Sequence, residues 1–117
     1  MTAASVMVAR NKQYPKLHAQ MLLCPMLDGR VITISSKQSH TNTPCSGVFN
    51  ATAWETVLGD RRRTPDVSEL LAPARATNLS DHPPAIIDVG ECEVFRDEAV
   101  AYASKMWECG SSAELYV

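Results

Sequence analysis

The stretch PPAIIDVGECEVFRDEAVAYASKMWECGSSAELYV, residues 83–117, decides the fold. Pro83-Pro84 punctuates the chain, and Ile86, Ile87 and Val89 are β-branched, so a strand is expected over 85–91. Residues 96–109 then carry a helical pattern. Asp97 and Glu98 lie in its first turn and Lys105 near its last, matching the helix dipole. Ala99, Ala103, Met106 and Trp107 form the expected buried stripe, and Gly110 suits the position just past the helix end. Residues 113–117 read as another strand. A strand–helix–strand unit of this kind predicts parallel pairing with a right-handed crossover, hence an α/β protein.

Upstream, residues 17–24 (LHAQMLLC) are a short apolar run closed by Pro25. Length and flanks predict a strand covered on both faces, as in parallel sheets. His18, at its start, is expected to hold a structural hydrogen bond. Residues 3–12 predict a helix with Ala4, Met7 and Val8 on one face, ended before Tyr14-Pro15 because proline disfavours helical geometry in the preceding residue. Val31 to Ile34 could form a short strand. Ser35 to Gly47 is rich in Ser, Thr, Asn and Pro and reads as a long loop, a type usually either functional or disordered. Residues 51–58 predict a short helix with Asn50 as N-cap, Gly59 as stop, and Trp54, Val57 and Leu58 facing inward. Residues 66–76 predict a broken helical turn interrupted by Pro73. The order is helix, strand, long excursion, strand, helix, strand.

A chain of 117 residues supports one small domain, and 45% hydrophobic with 21% charged residues is ordinary for a globular one. A net charge of −2 supplies no basic field for nucleic acid or an anionic membrane. Arg61-Arg62-Arg63 is too short for a basic tract and reads as a solvated loop. No apolar run approaches the ~20 residues that span a bilayer. Cys24, Cys45, Cys92 and Cys109 are widely spaced, which argues against zinc and against a disulfide scaffold. Reduced thiols and a cytoplasmic setting are expected. No cofactor or metal is expected either. The sequons at Asn50 and Asn78 are read as chance.

Parallel α/β sheets carry their chemistry at the carboxyl ends of strands. Two such ends are Pro25-Met26-Leu27-Asp28 and Gly90-Glu91-Cys92-Glu93. Serine hydrolysis needs a nucleophile, a base and an orienting acid, and no G-x-S-x-G elbow occurs among these residues. Ser46 has Pro44 where the first glycine belongs. None of His18, His40 and His82 follows a last strand, and His82 sits at the wrong end of one. Cys92 lies between Glu91 and Glu93, whose charges would raise a thiol pKa where activation needs it lowered. The residues alone thus supply an acid in search of partners.

Residues 84–103 (PAIIDVGECEVFRDEAVAYA) resemble the strand and helix around the triad acid of hormone-sensitive-lipase-like esterases, which are α/β-hydrolases. Residues 20–30 (QMLLCPMLDGR) resemble the strand that follows the nucleophile helix there. Trp54 to Leu58-Gly59 and Ala72-Pro73-Ala74-Arg75-Ala76 match in order and spacing, so four segments agree over nearly the whole chain. The resemblance implies a partial α/β-hydrolase fold over 1–117, with about three parallel strands and flanking helices. It implies that Glu93 is the triad acid, where family members more often have aspartate. A glutamate can serve there if the backbone allows its longer reach. Asp97 and Glu98 are the runners-up, better explained as helix-start charges and salt bridges.

In the family the serine elbow comes just before the residues matching Met1 to Ala4, and the histidine about ten residues after the last strand. The chain is therefore expected to be a fragment of an ester hydrolase that carries the acid and lacks nucleophile and base. The alternative is a non-catalytic remnant or interaction module. A small ester is the expected substrate of the whole enzyme. The isolated chain is expected to be inactive and to self-associate through an exposed sheet edge.

Overall fold

The computed structural model describes residues 1–39, 41 and 45–117. Helix α1 spans Thr2–Lys12, strand β1 Gln20–Leu23, α2 Ile34–Gln38, α3 Gly47–Leu58, β2 Ala85–Asp88, α4 Arg96–Glu108 and β3 Ala113–Tyr116. Short 3-10 turns cover Gly59–Arg63 and Pro73–Arg75. The strands form one parallel sheet in the order β1-β2-β3, with Gln20 opposite Ala85 and Ala85 opposite Ala113. The expected element order and the α/β class hold.

Alternation along the strands sets the core. Leu22, Ala85 and Ile87 point to one face, where they pack with Ala3 and Met7 of α1 and with Ala99, Tyr102, Ala103 and Met106 of α4. Both helices thus cover the same side of the sheet. The opposite side is open: Met21 is 57% and Leu23 64% exposed. This corrects the expectation that β1 is covered on both faces. Its hydrophobicity is that of a strand built for two covers, and among the described residues only one cover is present.

Four other local expectations change. Helix α1 buries Ala3, Val6, Met7 and Ala9, while Ala4 and Val8 are only partly covered. In α4 the buried stripe holds Glu98 and Tyr102, and Trp107 lies half exposed with its indole N–H donating to the Ala113 carbonyl at 2.9 Å. Val31–Ile34 is no strand. Thr33 instead caps α2, its hydroxyl accepting the Ser36 N–H. Likewise α3 starts earlier than expected. Ser46 is its N-cap, accepting the Phe49 N–H at 3.2 Å, and Asn50 is buried inside the helix. A serine four residues further upstream outcompetes the asparagine because Gly47 to Phe49 can still wind into the helix.

The expected stop signals act as read. At Gly110, φ is +77°, and the Gly110 and Ser111 N–H groups return to the Trp107 and Met106 carbonyls, closing α4. Gly29 has a different reason. A Cβ there would lie 2.6 Å from Leu58 Cδ1 and 3.0 Å from the Trp54 ring, so the loop after β1 passes against α3 only as bare backbone. No helix among the described residues is long and apolar enough to cross a membrane.

Candidate active site

The carboxyl ends of β1 and β2 lead into two neighbouring loops. The loop after β1 runs through Pro25 to Arg30. The Leu27 and Asp28 N–H groups donate to the two carboxylate oxygens of Glu98, at 3.1 and 2.8 Å. Glu98 is on the first turn of α4 and only 5% exposed. Burial pushes its carboxyl up to about 8, against the pull of those two N–H donors. Asp28, also buried, is gripped by the Arg30 guanidinium through contacts of 2.9, 3.0 and 2.6 Å. Burial works against the Asp28 charge, but the Arg30 hydrogen bonds outweigh it and hold the carboxyl below its ordinary value. This loop spends its polar groups on its own fixation.

The loop after β2 behaves differently. Residues 91–95 turn tightly, with the Glu93 N–H donating to the Gly90 carbonyl at 3.0 Å. The Ser35 hydroxyl donates to the Val94 carbonyl at 2.9 Å and the Ser39 hydroxyl to the Cys92 carbonyl at 2.8 Å. Arg96 reaches back to the Glu91 carbonyl at 3.1 Å and across to the Gln38 side chain at 3.0 Å. The Glu93 side chain is partly buried. Its Oε2 is fully covered and has no hydrogen-bond partner among the described residues.

The two other candidate carboxylates are occupied. Asp97 accepts the Ser35 N–H at 2.8 Å and the Arg96 Nε–H at 2.9 Å. Partial burial opposes its charge, and those bonds prevail, lowering its carboxyl from the usual range. Asp97 thus fits the helix-start and ion-pair reading. Glu98 corrects it: its partners are backbone amides of the β1 loop, not a cation. The sequence signal for such a role was slight, a second acidic residue on the inward stripe of α4.

The remaining expected residues fall away from this site. His82 precedes β2, at the opposite end of the sheet. Burial lowers its pKa, aided by the Arg10 charge beside Nδ1 at 3.2 Å and opposed by the hydrogen bond to the Ser80 carbonyl. His18 is exposed and forms no hydrogen bond among the described residues, so the structural bond expected of it is absent there. Ser46 is spent as a cap. Cys92 is exposed on the turn. His40 and Pro44, and with them part of the expected long loop, lie outside the described residues. What is described of that loop includes α2, packed on the turn that carries Glu93.

An open cleft of about 580 Å³ lies between the start of α1, the end of β1 and α3. Met1, Leu23, Met26, Trp54, Val57 and Leu70 make it largely apolar. Glu93 does not line it. Among the described residues no group of three His, Cys, Asp or Glu is placed to hold a metal ion.

The comparisons with known proteins agree with this fold. The family model for the alpha/beta hydrolase fold matches residues 1–117. No curated protein sequence gives a significant match. Among solved structures, the chain is similar to a bacterial heroin esterase, at 32% identity and a TM-score of 0.92 over 97% of the chain. It is similar to esterase LipW from Mycobacterium marinum, at 28% identity and a TM-score of 0.87 over 97%. A variant of esterase rPPE complexed with (S)-Ac-CPA is also similar, at 28% identity and a TM-score of 0.89 over 97%. The chain spans 37%, 35% and 36% of the lengths of these three proteins. With a family model matched from end to end and esterases as its structural relatives, the chain belongs to the α/β-hydrolase fold family, in its hormone-sensitive-lipase-like branch.

Proposed function

We propose that these residues form the acid-bearing part of a serine carboxylic-ester hydrolase, with Glu93 as the orienting acid. One observation carries the assignment of the residue. Of the three carboxylates at 93, 97 and 98, Glu93 alone keeps a buried oxygen without a partner among the described residues. A buried acceptor left unpaired is costly, and an imidazole N–H is the kind of donor that would satisfy it. Position supports the same reading. The Val89 N–H donates to the Tyr116 carbonyl at 3.0 Å, so polypeptide continuing beyond β3 would leave the sheet beside the Glu93 turn.

In this reading a serine attacks the ester carbonyl, a histidine takes its proton, and Glu93 holds the histidine in the right tautomer and balances its charge. Serine and histidine come from outside these 117 residues. The apolar cleft at the start of α1 would border the acyl or alcohol group of a small ester. The similar solved structures are esterases, which supports ester substrates as a class. The isolated chain is accordingly inactive, and a fluorophosphonate probe should label no serine in it. A cytoplasmic setting belongs to the proposal, and the four free thiols support it. So does self-association of the isolated chain through the unpaired edge of β1, beside exposed Met21 and Leu23. Sedimentation of the isolated chain as a monomer at all concentrations would sink that part.

The test is a graft. The chain replaces the matching segment of the bacterial heroin esterase, and hydrolysis of p-nitrophenyl acetate is followed. The graft should hydrolyse the ester, and Glu93→Gln should lower kcat on the order of a thousandfold or more. Full activity of the Glu93→Gln graft would reject Glu93 as the acid.

A further inference from the structure

We propose that α2 is a positioning element for Glu93, acting through Ser35 and Ser39; this rests on the reading of Glu93 as the triad acid. The carbonyls on either side of Glu93, those of Cys92 and Val94, are each capped by a serine hydroxyl, at 2.8 Å from Ser39 and 2.9 Å from Ser35. The two serines are four residues apart, one in the first turn of α2 and the other its C-cap, so their hydroxyls face the same turn. Ser35 is 1% and Ser39 8% exposed. Neither hydroxyl is spent on solvent.

The helix itself is held in register. Thr33 caps its start. The Ser35 N–H donates to Asp97, and the Asp97 N–H returns to the Ser35 hydroxyl at 3.2 Å. Gln38 accepts from Arg96, which also grips the Glu91 carbonyl. A five-residue helix of this kind has too little intrinsic stability to exist for its own sake. Its polar contacts converge on residues 91–97 and leave the Glu93 carboxylate alone. The geometry fixes the backbone on both sides of that carboxylate while keeping its acceptor oxygen available. That is what an orienting acid requires.

Carboxyl footprinting of the 117-residue chain tests this. A water-soluble carbodiimide with glycine ethyl ester labels exposed carboxylates, read by mass spectrometry. Ser39→Ala and Ser35→Ala should each raise labelling of Glu93 about threefold or more relative to exposed Glu91, with labelling of Glu98 unchanged. Ser39→Thr, which keeps the hydroxyl, should restore the wild-type level. Unchanged Glu93 labelling in Ser39→Ala overturns the proposal. So does an equal rise at Glu98, which reports general loosening. If Ser35→Ala unfolds, Ser39→Ala decides by itself. The graft separates the two readings. Esterase activity that survives Glu93→Gln rejects the acid assignment and with it the positioning role, whatever the footprint. Activity that falls with Glu93→Gln and stays whole in Ser39→Ala, in both kcat and KM, rejects the positioning role alone.

Discussion

The loops after β1 and β2 leave adjacent strands in the same direction, yet they handle their carboxylates in opposite ways. In the first, Asp28 is locked by Arg30, and Glu98 reaches in from α4 to receive two backbone N–H groups. In the second, serine hydroxyls and Arg96 hold the backbone by its carbonyls, and Glu93 keeps a covered oxygen unpaired. The contrast separates a carboxylate that builds structure from one that, as proposed above, is kept for chemistry. Burial alone does not distinguish them, since both are shielded. The use made of their oxygens does.

The sharpest way to break this contrast is to delete each carboxylate and measure stability by urea titration through the fluorescence of Trp54 and Trp107. Glu98→Ala leaves the Leu27 and Asp28 N–H groups without acceptors and should cost roughly 2–6 kcal/mol, at about 1–3 kcal/mol per unsatisfied buried group. A loss below the error of the titration would show that the β1 loop holds itself.

The same residue predicts a pH dependence. The folded-state carboxyl of Glu98 is raised to about 8 from an ordinary 4.5, so the folded protein binds the extra proton between those values. Stability is then highest on the acid side of that window and falls as pH rises from about 4.5 to about 8. The fall should be on the order of a few kcal/mol, and Glu98→Ala should flatten it. Urea midpoints between pH 5 and pH 8 check both slopes, and stability that rises with pH equally in the two proteins would contradict the assignment.

Smaller effects are expected from the glycines of the two loops. Gly29→Ala drives a methyl into the Trp54 ring and Leu58 and should cost about 1–2 kcal/mol of overpacking. Gly90→Ala meets only the Glu93 Cγ, at 3.3 Å, and should cost less than about 0.5 kcal/mol. Equal losses at the two positions would mean that the β2 loop is as tightly packed as the β1 loop. The smallest expected change is that of Glu93→Gln, within about 0.5 kcal/mol of wild type. A side chain that holds no partner among the described residues can be altered at little cost, and a large loss there would make Glu93 structural.

Much of this was legible in the chain itself. Pro83-Pro84, the β-branched run after it, the charged start of α4 and Gly110 are local signals, and each acts within a few residues of where it is read. They yield the strand–helix–strand unit and place Glu93 just beyond a strand end. The excursion between residues 31 and 47 was less legible, because a Ser- and Thr-rich stretch has the composition of a loop whether or not it folds onto something. The face of α4 was misjudged at Trp107, since helical periodicity gives a stripe but not which of two adjacent residues at its border meets the core.

The sequence by itself determined the class and the order of elements, and it placed Glu93 just past the carboxyl end of a strand. Those follow from periodicity, breakers and caps, which are short-range. The tertiary structure decided what each polar group does there. Glu98 finds its partners 71 and 70 residues away, Ser35 finds Val94 at 59, and Ser39 finds Cys92 at 53. No local pattern encodes pairings of that separation. They exist because the parallel sheet brings the ends of β1 and β2 side by side and α4 returns across both.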